Sequence, residues 1–132
     1  MKLKTMIQAA GLALTLAGAA QAQISDGVVK IGVLTDMSGT YSDISGQGAV
    51  VATQMAIDDF VAKEKPAFKV EMVYADHQNK GDIAANKARE WFERDGVDLV
   101  TDLVTSSTAL AVQKIGKEKN KLVFVSGAPA WH

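Results

Sequence analysis

Apolar positions along this 132-residue chain change period several times, and each change marks an element. Val28 to Thr35 (VVKIGVLT) is a nearly unbroken, β-branched apolar run, which predicts a buried strand. Asp36-Met37-Ser38-Gly39 ends it, and a polar loop runs from Thr40 to Gly48. Ala49, Val50, Ala52, Ala56, Ile57, Phe60 and Val61 then recur at helical spacing, predicting a helix over about 46–63 that Pro66 stops. Phe68 to Ala75 alternates apolar and polar, as a strand near a sheet edge does. After a loop over Asp76 to Gly81, Asp82 is the predicted N-cap of a helix with Ala84, Ala88, Trp91 and Phe92 on its inner face. Gly96 is its expected left-handed stop. Val97 to Val104 is the third predicted strand, and Thr105-Ser106-Ser107-Thr108 a hydroxyl-rich turn. A helix over Ala109 to Lys117 follows, with Leu110, Val112 and Ile115 inward, and Lys121 to Ser126 is the fourth strand.

The order β-α-β-α-β-α-β implies a parallel sheet with right-handed crossovers. The expected fold is α/β, an open doubly wound, Rossmann-like sheet. Parallel sheets are covered by helices on both faces. A fourth strand with no helix after it therefore reads as an incomplete unit.

The first 22 residues stand apart. Lys2 and Lys4 precede an apolar or small-residue run from Met6 to Ala20, broken only by Gln8 and Thr15, and Ala20-Gln21-Ala22 is a small-x-small cleavage site. This is the pattern of a secretory signal peptide. The run is shorter than the roughly 20 residues a membrane span needs. The mature chain is expected to begin near Gln23, with residues 23–132 as the folded part. Lipid anchoring after cleavage needs a cysteine at that point, and the chain contains none, so a periplasmic, unanchored product is expected. The lack of cysteine also excludes disulfides and thiolate metal sites. Removing Lys2 and Lys4 takes the formal charge from −1 to −3. A mildly acidic chain with interspersed charges has no electrostatic footprint for nucleic acid.

Ligands of open α/β sheets bind beyond the carboxyl ends of the strands. Here that selects Asp36 to Ser45, Asp76 to Asn79, Thr105 to Thr108, and Ser126 to Ala128. Three of these are rich in hydroxyls and small residues. Ser106-Ser107-Thr108 opens a helix, whose free N–H groups and dipole favour an anion such as a ligand carboxylate. The same residues also serve as ordinary helix caps. Tyr41 adds an aromatic surface in the first loop. Gly46-Gln47-Gly48 resembles a dinucleotide fingerprint, but Val51 stands where the third glycine belongs, and the glycines lie too far from the strand. Asp36, Asp58-Asp59 and the Asp76-His77-Asp82 group read as turn formers and solvated residues rather than metal or phosphoryl sites. No nucleophile–base pair stands out, so neither catalysis nor a cofactor is expected.

With the loops placed, VKIGVLTDMSGTYSDISGQGAVVATQMAIDDF, ADHQNKGDIAANKAREWFERDGVDLV, the SST turn and KLVFVSGA together resemble the leucine/isoleucine/valine-binding protein family of ABC importers, from about Val28 to Ala128. The resemblance implies a type I periplasmic binding protein, in which two α/β lobes close on a ligand, and makes residues 23–132 part of the N-terminal lobe. It implies ligand contacts from Thr105, Ser106, Ser107 and Thr108, from Ser126, Gly127 and Ala128, and from Ser38, Tyr41 and Ile44 in the first loop. It also implies an inner-membrane permease with ATPase subunits as partners, and a monomer if full length. Ile44 stands where amino-acid binders of this family often carry an aromatic, and the TYSDISG loop is closer to members that take amides, urea or aromatic acids. The ending GAPAWH departs from the family's pattern.

The expected function is therefore the extracytoplasmic solute-binding component of an ABC importer, for a small carboxylate- or amide-bearing solute: a branched-chain amino acid, an amide or urea, or an aromatic acid. The alternatives are a periplasmic ligand-sensing module of the same fold and an inactive truncated product.

Overall fold

The computed structural model describes residues 26–128. The expected signal segment and the ending from Pro129 onward lie outside these residues. Four strands and three helices alternate: β1 (Val28–Thr35), α1 (Gly46–Glu64), β2 (Lys69–Asp76), α2 (Gly81–Glu93), β3 (Leu99–Asp102), α3 (Ser106–Lys119) and β4 (Leu122–Val123). The strands form one parallel sheet in the order β2-β1-β3-β4. The chain thus reverses its direction of progress across the sheet after β2, and β1 lies between β2 and β3.

Side chains of neighbouring parallel strands in register share a face. Gly32, Leu34, Val73, Ala75 and Val100 face α2 and α3, and the core lies there. Leu34, Ala84, Ala88, Trp91, Val97, Val100, Leu103 and Val112 are its buried centre. Gly32 is essential to this layer, since a Cβ on it would lie 2.6 Å from the Trp91 ring. The opposite face is covered by α1 over β1 and β2, where Ile57 is buried. On the β4 side Leu122 and Phe124 remain 62% and 54% exposed. Of the apolar positions expected on the inner side of α1, only Val50 and Ile57 are buried, and Phe60 and Val61 are exposed.

Element ends differ from expectation where tertiary geometry decides. The second helix is capped by Lys80, not Asp82, which sits in its first turn without a capping hydrogen bond. It ends at Glu93, and Gly96 takes its left-handed φ of 68° two residues beyond the Arg94 cap. The third strand is four residues rather than eight, because Asp102 and Leu103 both adopt positive φ (85° and 54°) and turn the chain out of the ladder. Such conformations cost about 1–3 kcal/mol each for non-glycine residues. Complete burial of Leu103 in the core offsets that cost. The fourth strand shortens with its partner, although Phe124 N–H and Ser126 N–H still donate to Val100 and Asp102 carbonyls at 2.9 Å each. The third helix takes in the hydroxyl turn and runs from Ser106 to Lys119, ending at a left-handed Asn120. Leu110 faces outward, 58% exposed, while Val112 and Ile115 are buried.

Candidate functional site

Each of the first three strands delivers an aspartate to the carboxyl edge of the sheet, and each carboxylate organises a loop. Asp36 is fully buried, and its two oxygens accept from Gly39 N–H at 2.7 Å and Tyr41 N–H at 2.9 Å. A Cβ on Gly39 would fall 2.6 Å from that carboxylate, so the loop can fold back only with glycine there. Ser45 Oγ and N–H both donate to the Tyr41 carbonyl, and Gly46 N–H donates to Thr35 Oγ1 at 2.7 Å. The glycine pair at the start of α1 thus begins with a residue (Gly46, φ 53°) that anchors the helix to the end of β1.

Asp76 accepts from Met37 N–H, Gln78 N–H and Ser38 Oγ, joining the loops after β1 and β2. Its partial burial works to raise the carboxyl pKa. The Ser38 hydroxyl and the two N–H groups, with His77 beside it, outweigh that and hold it below the usual carboxylate range. His77 is fully buried. Burial pushes its pKa below the ordinary histidine value, against the pull of the Asp36, Asp102 and Asp76 charges. Asp102 accepts from Ser126 Oγ at 2.8 Å, which fixes the segment after β4.

These loops leave a cleft of about 490 Å3 at the strand ends, lined by Tyr41, Ile44, Asn79, Val104, Thr105, Ser106, Ser107 and Gly127. Four segments from different parts of the chain therefore converge on one space. Ser106, Ser107 and Thr108 are the first three residues of α3, and their N–H groups have no intrahelical acceptor. The helix dipole adds positive potential at that point. Such a wall favours a carboxylate or a polar carbonyl, while Tyr41, Ile44 and Val104 supply apolar surface.

Of the residues singled out from sequence, Tyr41, Ile44, Thr105, Ser106, Ser107 and Gly127 line this cleft. The other four are placed beneath or beside it. Ser38 donates to Asp76 at 2.6 Å. Thr108 is buried, its hydroxyl on the Thr105 carbonyl at 3.0 Å and against Thr105 Oγ1 at 2.9 Å. Ser126 is engaged by Asp102. Ala128 is buried in the core. Asn79 and Val104 line the cleft without having been named from sequence. Asn79 lay within a strand-end segment, and its left-handed φ of 55° is the local signal an asparagine in a loop can carry. Val104 gave no signal beyond its place before the hydroxyl turn.

Comparison with known proteins bears on what this cleft is for. The periplasmic binding protein family matches residues 28–132. The chain belongs to that family. A periplasmic binding protein from Burkholderia mallei is 51% identical, with a TM-score of 0.73, over 79% of this chain and 28% of its own. A branched-chain amino acid ABC transporter periplasmic ligand-binding protein from Burkholderia xenovorans is 50% identical (TM-score 0.71), over 77% of this chain and 27% of its own. A leucine binding protein from Thermotoga maritima is 27% identical (TM-score 0.64), over 76% of this chain and 28% of its own. No curated protein matches. The chain thus spans less than a third of the length of these solved periplasmic binding proteins. The family is a solute-binding one, and its fold here is the parallel α/β sheet described above.

Proposed function

We propose that this periplasmic binding protein is the extracytoplasmic solute-binding component of an ABC importer, exported through a signal peptide over residues 1–22 and released without a lipid anchor. Residues 23–132 are then part of the N-terminal lobe, and a second lobe supplies the opposing wall of the cleft. The solute is small and bears a carboxylate or an amide: a branched-chain amino acid, an amide or urea, or an aromatic acid. Its partners are an inner-membrane permease and the ATPase subunits that drive it.

The observation that carries this reading is the wall formed by Thr105, Ser106 and Ser107 at the start of α3. It offers N–H groups without an acceptor among the described residues, and hydroxyls, to one polar end of a solute, with Tyr41 and Ile44 alongside for an apolar remainder. Hydroxyls and backbone donors bind without presenting a nucleophile–base pair. Enclosure by a second lobe would remove water from these contacts and strengthen them.

The export half of the proposal is tested by fractionating the source cells and measuring the intact mass and N-terminus of the periplasmic protein. An N-terminus at Gln23 is expected. A chain that keeps Met1 and stays in the cytoplasm contradicts it. The solute half is tested by titration calorimetry of the intact protein with these solute classes.

A further inference from the structure

Asn79 is the one amide side chain in the lining of the cleft, and among the described residues no charged side chain lines it. The polar groups around it are unequal. Thr105 Oγ1 is spent on Thr108 Oγ1 at 2.9 Å, whereas Ser106 and Ser107 stand in the first turn of α3. The backbone N–H of Asn79 is engaged, but its side-chain amide makes no hydrogen bond among the described residues.

The turn that carries Asn79 is held from several sides. Asp76 Oδ1 accepts from Gln78 N–H at 2.8 Å, and the His77 carbonyl accepts from Lys80 N–H at 2.8 Å. Asn79 N–H donates to Nδ1 of the fully buried His77 at 3.0 Å. Gln78 and Asn79 both take left-handed φ, 53° and 55°. Asparagine tolerates that conformation better than most side chains do. Just beyond, Gly81 packs so closely on α3 that a Cβ there would lie 3.1 Å from the Ser107 carbonyl oxygen. The segment after β2 therefore meets the start of α3, and Asn79 and the two serines border one space from two directions. A side chain whose backbone is already fixed loses less freedom when it binds.

We propose that Asn79 is a specificity-determining residue of the cleft, its side-chain NH2 donating to an oxygen at the polar end of the solute that Ser106 and Ser107 hold. The role rests on the cleft being a solute site. A carboxylate and an amide carbonyl both accept such a bond. A carboxylate offers acceptors only, so it needs a donor at each contact. An amide also carries N–H donors, which Asn79 Oδ1 can accept. The asparagine therefore admits both classes, whereas an aspartate in its place would repel a carboxylate and still accept from an amide.

The test compares the native chain with Asn79→Gly and Asn79→Asp in the intact protein. Titration calorimetry with leucine, acetamide and benzoate is paired with urea unfolding. Both replacements tolerate the left-handed backbone, so unfolding midpoints close to the native one are expected. Asn79→Asp also keeps the native side-chain shape, so its effect is readable even where Asn79→Gly loosens the turn. For the probe that the native chain binds, Asn79→Gly should weaken binding about fivefold through one lost hydrogen bond. With leucine or benzoate, Asn79→Asp should weaken it at least about tenfold, more than Asn79→Gly does. With acetamide, Asn79→Asp should lose less than Asn79→Gly. A merely structural role would rank the two variants alike for both solute classes. Native affinity in both variants, or a ranking opposite to that given for the probe bound, overturns the role of Asn79 and leaves the cleft a solute site. Binding of none of the probes by the native chain overturns the solute site, and the role of Asn79 with it.

Discussion

Ser38 Oγ donates to Asp76 Oδ2 at 2.6 Å, fastening the loop after β1 to the last residue of β2. Met37 N–H and Gln78 N–H donate to Oδ1 of the same carboxylate. One side chain thus organises two of the four segments that meet at the cleft. Asp76→Asn removes the charge and half of the accepting capacity. A loss of about 1 kcal/mol is expected, below the roughly 1.5–3 kcal/mol of a buried hydrogen bond to a charged group because Asp76 is only partly buried. The Asp76 carboxylate is held below its ordinary value of 3.8, so its stabilisation is present above that pH and is lost as pH falls through the lower folded value. In urea unfolding between pH 7 and pH 2.5, the gap between the native chain and Asp76→Asn should close at the acid end. A gap that is constant with pH contradicts this.

His77 gives a second pH dependence at higher pH. Its folded pKa lies below the ordinary 6.5, chiefly through burial, so the unfolded chain binds its proton first as pH falls. Stability from this residue is therefore present above 6.5 and declines below it, down to the folded value. His77→Gln should flatten the unfolding free energy between pH 6.5 and pH 5. An unchanged slope in the variant would assign the dependence to other groups.

Packing of β1 against α2 depends on Gly32. A Cβ there would lie 2.6 Å from the Trp91 ring, which is 4% exposed. Gly32→Val is expected to cost about 1–3 kcal/mol through overpacking, and Trp91→Ala about 3–5 kcal/mol through the cavity it leaves. Leu110→Ser, on the exposed side of α3, should change stability by no more than about 0.5 kcal/mol. Chemical denaturation of the three variants orders them directly.

Sequence patterning was most informative where one constraint dominates. The run from Val28 to Thr35 is bounded by a turn and buried at its end, and its strand has the expected limits. Ala84, Ala88, Trp91 and Phe92 form a single helical face, and all four are buried. Patterning fell short where distant parts of the chain compete. Val97 to Val104 reads as one strand, but Asp102 and Leu103 are turned away by the needs of the core and of the loop that follows. Leu110 fits an inward position by spacing, yet α3 rests on Val112 and Ile115. At the cleft, the rule that ligands bind at strand ends identified the four converging segments. It did not separate residues that line the space, such as Ser106 and Gly127, from those spent on internal hydrogen bonds, such as Ser38 and Thr108. For Ser38 and Ser126 that distinction depends on partners tens of residues away, Asp76 and Asp102; for Thr108 it depends on the local turn of Thr105.

The proposed role requires that the cleft at the start of α3 captures a small solute with a carboxylate or amide end. Titration calorimetry of the intact protein with branched-chain amino acids, urea and short amides, and aromatic acids tests it most directly. One of these classes should bind saturably, and at a hundredfold excess over its Kd should raise stability by about 2.7 kcal/mol. Replacing both Ser106 and Ser107 with valine should weaken that binding at least tenfold. Binding by none of the three classes, or equal binding by the double variant, would contradict the account.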